Sequence, residues 1–348
     1  MLHNVSRRAA VVLALIAGAA GPLHSDITLT SAPVGVMSKK LQLGTTGLAF
    51  PLIQENVFVG VVEANAGGML LFTDSAGNVA GALDPQRPYY AEVATGALEG
   101  ERFDVDTAAT IAAGDGRLEL SLGGGTRSTL PALDDDALAG ARIVVRPHVT
   151  LADLPSMIAP ALTGDDKHHR ADGVNVYEGS SYVFYHLRAN GSDWGSKDSP
   201  GEFGDLVIPP DTSIQVVLRA SPRKWIHAGA VRTNAFRKNL FAGSQSLGTG
   251  FPVALSPVDL AAFADVGAPA GTEWVGNGDP DLADGIQLTA MKPLPFNWYF
   301  LDADGATWRR VAGKVDATDT AFAGATDAML LRRNNPDPSF LILPPFEP

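Results

Sequence analysis

Apolar residues in this chain come in short runs broken by Gly, Asn, Asp and Pro, and few segments keep helical spacing for more than two turns. That punctuation predicts an all-β protein. Val57–Glu63 and Met69–Thr73 flank Ala-Asn-Ala-Gly-Gly, which predicts a hairpin with a short glycine loop. Tyr90–Val93 and Phe103–Val105 predict further strands. Ala108–Ala113 and Arg117–Leu122 flank Asp115-Gly116, a pair suited to a type I′ turn, so both segments are expected as strands. Arg142–Arg146 closes a series of six or seven strands over residues 45–146. Such a series predicts a small N-terminal β-barrel or sandwich, assigned to residues 26–146. The expected helices are few and short: Val149–Leu154 continuing into Ser156–Leu162, and Ser256–Ala264, where Ser256-Pro257 gives an N-cap followed by Pro.

The second half matches itself at a fixed offset. VFYHLRANGSDW (183–194) falls on NWYFLDADGATW (297–308) when residue i is set against i+114. Nine of the 40 positions from 183 to 222 are identical, among them Tyr185/Tyr299, Gly191/Gly305 and Trp194/Trp308. Chance gives roughly two or three. RADGVNV (170–176) matches LADGIQL (282–288) at an offset of 112, and VTLADL (149–154) faintly echoes VALSPVDL (253–260). The unit reads as an Ala-Asp-Gly turn, a strand, an aromatic strand, an Asn-Gly or Asp-Gly hairpin and a Trp three residues beyond the turn glycine. A duplicated, pseudo-twofold β region is therefore expected, with repeats over 147–225 and 226–348. Trp194 and Trp308 are expected at matching places, buried as apolar plugs.

The blocks YYAEVATGALEGERFDV, RIVVRPHVTLADL and TNAFRKNLFAGSQSLGTGFPVALSPVDL, together with the two Trp hairpins, resemble an uncharacterised family of exported bacterial proteins of about this length. The resemblance covers roughly residues 35–345 and implies a secreted β-rich protein. It supplies no catalytic residue, substrate or cofactor.

The N-terminus supports export independently. Arg7 and Arg8 precede an uncharged run of 12 residues from Ala9 to Ala20, and Gly21-Pro22 follows. The run is short of the ~20 residues that span a bilayer, so residues 1–25 read as a signal peptide cleaved between residues 19 and 26, and the mature protein is expected outside the cell, at its surface or in the periplasm. No later stretch is long and apolar enough to predict a membrane span. The formal charge is −12, and removing both arginines makes it −12 − 2 = −14. An acidic balance argues against nucleic acid as a partner. With no cysteine in 348 residues, thiol nucleophiles, disulfides and Cys-bound metals are excluded, and the cores must be large enough without staples.

No catalytic pattern emerges. His168 and His169 are adjacent, so their side chains diverge, whereas chelating pairs sit at i, i+2 on a strand or i, i+4 on a helix. His186 has Phe300 as its counterpart, which suits a packing role. Asn277, Asp279, Asp281 and Asp284 form an oxygen-rich loop that could suit calcium, but the spacing is not that of an EF-hand and Asp and Gly are ordinary turn formers. Ser246 in SQSLG has no histidine after it in the chain, which defeats a hydrolase triad in the usual order. Trp194, Trp225, Trp274, Trp298 and Trp308 raise the alternative of an aromatic platform for sugar rings. No catalytic, cofactor-binding or metal residue is assigned. The expected function is that of a non-catalytic exported protein, structural or adhesive, at the cell surface or in the extracellular matrix. A carbohydrate-binding module, calcium-assisted through the 276–285 loop, is the alternative, and a secreted hydrolase comes third. Extracellular polysaccharide or other surface proteins are the expected partners.

Overall fold

The computed structural model describes residues 33–72, 78–114, 116–123, 127–179, 181–238, 242–248, 250–257, 274–288, 298–322, 328–333 and 340–342. The expected signal peptide and nearly all of the expected Ser256–Ala264 helix lie outside the described residues. The fold is all-β with a few short helices and a closed six-stranded barrel.

The chain begins with β1 (Val34–Leu41), β2 (Gly44–Ala49) and β3 (Leu52–Ile53), and none of these enters the barrel. The barrel is built from β4 (Phe58–Ala66), β5 (Met69–Phe72), β6 (Tyr89–Val93), β7 (Arg102–Val105), β8 (Arg117–Ser121) and β9 (Arg142–Pro147), in the closed order β4-β5-β8-β7-β6-β9. Alternation puts Phe58, Leu70, Phe103, Leu118, Ile143 and Val145 in one interior cluster, so the barrel is filled by side chains. Helix α1 (Val79–Ala82) and helix α2 (Thr107–Ala113) pack beside β8. The expected strand Ala108–Ala113 is thus a helix. Asp106 caps its N-terminus by accepting from the Ala109 N–H at 2.9 Å, Gly114 ends it at φ 81°, and the alanine-rich interior has high helix propensity.

After the barrel come β10 (Val149–Thr150), a 3₁₀ turn at Leu151–Asp153, helix α3 (Leu154–Met157) and β11 (Ile158–Ala159). The helix expected over 149–162 is therefore one 3₁₀ turn and one α turn between strand fragments, with the Thr150 and Asp153 side chains forming a capping box. The chain continues through β12 (Gly173–Glu178), β13 (Ser181–Leu187), β14 (Trp194–Ser196), β15 (Val207–Ile208), β16 (Ser213–Leu218) and β17 (Arg223–Val231). Then follow β18 (Phe236–Lys238), β19 (Gly243–Leu247), β20 (Gly285–Leu288), β21 (Trp298–Leu301), β22 (Trp308–Arg310), β23 (Ala328–Arg332) and β24 (Phe340–Ile342).

Two five-stranded antiparallel sheets stand out, in the orders β14-β13-β12-β16-β2 and β22-β21-β20-β23-β19. Their registers run in parallel. Gly173 lies between His186 and Val217, and Gly285 lies between Phe300 and Leu331. Leu187 faces Trp194, and Leu301 faces Trp308. Ile214 faces Leu48, and Ala328 faces Leu247. Each sheet buries one face in its own core: Leu48, Val174, Leu187, Trp194 and Trp225 in the first, Leu247, Ile286, Leu301, Trp308 and Phe322 in the second. Trp194 and Trp308 are both 0% exposed, as expected of plugs. β1 lies antiparallel on β17, from Val34 opposite Ala230 to Leu41 opposite Arg223.

Candidate functional site

The densest set of buried charges lies where the barrel meets the segment running from the end of β17 into β18. Barrel strands β6 and β7, with the turn between them, present Glu92, Glu99, Glu101, Arg102 and Asp104. The facing segment presents Arg232, Asn234, Arg237 and Lys238, and Asp211 comes from the loop before β16. Asp211 sits between the Arg102 guanidinium at 3.2 Å and the Lys238 ammonium at 2.9 Å. Burial by itself would raise its pKa, but these two cations outweigh it and hold the carboxyl well below the usual carboxylate range. Glu92 is 1% exposed and pairs with Arg232, lies 3.7 Å from Arg146 and accepts from the Asn234 amide at 3.0 Å.

Backbone and side chain are interlocked at the same place. The Arg237 N–H donates to Gly100 O at 2.8 Å, and its Nε donates to Glu99 O at 3.1 Å. Arg102 returns a bond to Arg237 O at 2.8 Å. Arg237 also lies 3.4 Å from Glu101. At the barrel exit, His148 Nε2 is 3.1 Å from Asp104, and its ring packs 4.8 Å from that of Tyr90. Burial lowers the His148 pKa and outweighs the Asp104 contribution, so the ring is neutral near pH 7. Burial opposes ionisation of Asp104, but hydrogen bonds from His148 and Arg127 prevail and lower its pKa. At the barrel entry, buried His227 is 2.9 Å from Leu52 O and stacks on Trp225.

Chemically, this arrangement joins. Each buried carboxylate here is matched to a cation, which suits cohesion and leaves poor material for a proton-transfer pair. Among the described residues, no group of three or more His, Asp or Glu is placed to hold a metal ion. A cleft of about 120 Å³ beside β21 and β22, lined by Tyr299, Arg310, Val315, Asp316, Ala317 and Thr320, is well below the ~300–1,000 Å³ of small-molecule sites.

The residues singled out in the sequence are scattered. In the 276–285 loop, Asn277 accepts from the Asp279 N–H and Asp279 from the Asp281 N–H, which are ordinary Asx turns. Asp284 turns inward instead. Its oxygens accept from the backbone of Arg333 at 2.6 Å and Val275 at 2.8 Å, and Arg332 lies 3.0 Å away. Burial raises its pKa despite Arg332. Asp172 occupies the matching place, accepting from the backbone of Arg219 at 2.7 Å and Thr163 at 2.8 Å, with Arg223 at 3.4 Å. The Ala-Asp-Gly motif was legible as a turn, but the carboxylate that ties two loops to the sheet was not. Its signal was the Asp shared by both copies of the motif.

His169 is exposed, while His168 stands 6.3 Å from the buried ring of His186. Ser246 lies mid-strand in β19, bonded to Ser213 rather than poised on an elbow. Trp194, Trp225 and Trp308 are fully buried, and Trp274 packs edge-on against Trp308 at 5.6 Å. Trp298 is partly exposed. No protein-family model, curated protein or solved structure matches the chain.

Proposed function

We propose that the protein is a non-catalytic exported β-scaffold with a structural or adhesive role at the cell surface or in the extracellular matrix. The observation that carries this reading is the junction around Asp211, Glu92 and Arg237, where buried charge is matched across elements to hold the barrel against the rest of the chain. A catalytic site of the same acidity would keep a carboxylate poised for proton transfer, away from a neutralising cation.

The two five-stranded sheets are read as copies of one duplicated unit. Shared strand order, shared register and the paired ties of Asp172 and Asp284 support this. Further support comes from strands outside the matched sequence: Gly44 and Gly243 open β2 and β19 with φ of 88° and 101°, and Phe50-Pro51 recurs as Phe251-Pro252.

Fractionation of the producing cell, with N-terminal sequencing, tests the placement. The expected result is a surface or medium fraction whose protein starts between residues 19 and 26. A cytoplasmic protein that still begins at Met1 overturns it.

A further inference from the structure

We propose that the outer edge of β1 docks an extended acidic segment of a partner protein, which adds to the β1–β17 ribbon as a further antiparallel strand. The edge serves this purpose wherever the protein is delivered, so it goes beyond the adhesive reading. β1 stands at the end of the order β1-β17-β11, and among the described residues no strand pairs with its other side. The Val231 N–H donates to Pro33 O at 2.7 Å. In an antiparallel pair, hydrogen-bonded and non-hydrogen-bonded pairs alternate. Gly35, Met37, Lys39 and Leu41 therefore bond to β17, while Val34, Val36, Ser38 and Lys40 turn their N–H and C=O groups to the open edge. A row of such backbone groups is a template for a further strand.

The two ends of the strand present different chemistry. Met37 and Leu41 turn toward the core, so the side chains of Val34, Val36, Ser38 and Lys40 share the solvent face. Val34 is 74% exposed and Val36 72%, and Ile226, opposite Ser38, is 40% exposed. At the other end Lys40 lies opposite Lys224, and both are exposed. They form a non-hydrogen-bonded pair, the kind that brings side chains closest, and like charges directly opposite destabilise a sheet. Among the described residues no carboxylate pairs with either lysine. In a chain of formal charge −12, this rung of two cations is complementary to a carboxylate brought from outside.

Lysines also guard edge strands against unwanted pairing. A guard accounts for Lys40 but not for Lys224, which lies on the inner strand between β1 and Ala159 of β11, and it leaves the valine end uncovered. A second copy pairing through the same edge fits less well, because β1 carries Lys39 and Lys40 and no Asp or Glu. An anionic lipid surface answers the lysines but offers no strand to the open N–H and C=O groups. An antiparallel segment with carboxylates beside Lys40 and β-branched apolar residues beside Val36 and Val34 answers the backbone, the charge and the apolar end together.

The test titrates the whole protein with a dye-labelled, end-blocked peptide, Glu-Thr-Glu-Thr-Val-Thr-Val, and with its charge-reversed form, Lys-Thr-Lys-Thr-Val-Thr-Val, by fluorescence anisotropy. Amide hydrogen exchange is followed in parallel. The acidic peptide is expected to bind with a Kd below about 1 mM, at least about tenfold tighter than the basic one, and to slow exchange at Val36, Ser38 and Lys40. Replacing both lysines, Lys40→Glu with Lys224→Glu, should invert the preference. Lys224→Glu alone gives Lys40 a cross-strand partner, so it should weaken the acidic peptide while the melting temperature holds or rises. No binding at about 1 mM, equal affinity for the two peptides, or binding that leaves those amides unprotected would each overturn the docking edge. Self-association, or binding to phosphatidylglycerol vesicles, that is lost in the double variant while the peptide fails to bind would overturn it in favour of a second copy or a membrane. All of these leave the scaffold reading standing. A cytoplasmic protein that still begins at Met1 and binds the peptide would overturn the exported reading and leave the edge.

Discussion

The two five-stranded sheets share a frame and differ in what they present. In both, a Trp three residues past the turn glycine is fully buried, and an aromatic neighbour packs on the tyrosine of the strand next to the Trp strand: Tyr185–Phe203 at 5.2 Å and Tyr299–Phe322 at 5.2 Å. Phe203 and Phe322 come from loops without sequence correspondence, so the geometry is kept although its source differs. The outer faces diverge: His186 against Phe300, Gln215 against Met329, Asn175 against Gln287. The chain also differs between them. Phe251-Pro252 leads directly to Val253, whereas Phe50-Pro51 is followed by the barrel before the corresponding segment resumes at Val149. The inward positions keep their residue character between the two sheets, whereas the other face changes chemistry even where it is buried, as at His186, Phe300 and Met329.

The largest expected effect tests the shared frame. Trp194→Ala and Trp308→Ala should each cost about 3–5 kcal/mol, the range for losing a buried large aromatic. Denaturant unfolding reads this directly, and an Ala variant of either with full stability would break the equivalence. Next come the paired ties. Asp172→Asn and Asp284→Asn keep the shape but put an NH2 in place of one oxygen that accepts a backbone N–H, leaving two donors face to face at about 1–3 kcal/mol each. A large loss in one and none in the other would show that only one tie matters.

The outer faces should respond unequally. Phe300→His places an unpartnered polar ring at a fully buried position and should cost about 1–3 kcal/mol. His186→Phe should cost less, under about 1 kcal/mol as a size-conserving ring swap at a buried position, because His186 Nδ1 has no hydrogen-bond partner to lose. The reverse order of sensitivity would contradict the reading of His186 as a flat packing residue.

The smallest effect is a pH dependence of opposite sign in two places. Asp211 and Asp104 have lowered pKa values, so their contribution is present above the ordinary carboxylate value near 3.8 and is lost as the pH falls through their folded values. The Asp284 pKa is raised, so its contribution is present below 3.8 and lost as the pH rises through the folded value. Acidification should therefore loosen the barrel junction while easing the second sheet. Melting curves of Asp211→Asn and Asp284→Asn from about pH 6 down to about pH 2, which extends below the ordinary carboxylate range, check it: the first substitution should flatten the acid-side loss and the second should not.

Strand content was legible because turn residues mark it locally. The barrel strands Tyr90–Val93, Phe103–Val105 and Arg142–Arg146 lie close to where alternation and Gly or Asp punctuation put them. Ala108–Ala113 was misread because Asp-Gly after it suits both a hairpin turn and the end of a helix, and Asp106 as an N-cap was the deciding signal. The partners of β1 and β2 were not legible at all. Val34–Leu41 pairs with Arg223–Ala230, with the barrel strands lying between them in the sequence, and nothing in a strand's own pattern names so distant a neighbour. The junction was hidden for the same reason. Glu92, Arg102 and Arg232 look like ordinary surface charges until the fold brings them together, and Asp172 and Asp284 look like turn formers until both carboxylates are seen facing inward.

The central claim is that buried ion pairs fasten the barrel to the rest of the chain as one cohesive body. Native-state hydrogen exchange of the full protein tests it most directly, by comparing the amides of Gly100, Arg102 and Arg237 with those of the strands Ile143–Val145 and Val174–Val176. The account predicts that all three regions exchange through the same global opening, and that Asp211→Ala lowers protection at Gly100, Arg102 and Arg237 first. Barrel amides that open independently of the sheet, with junction amides already unprotected in the wild type, would contradict it.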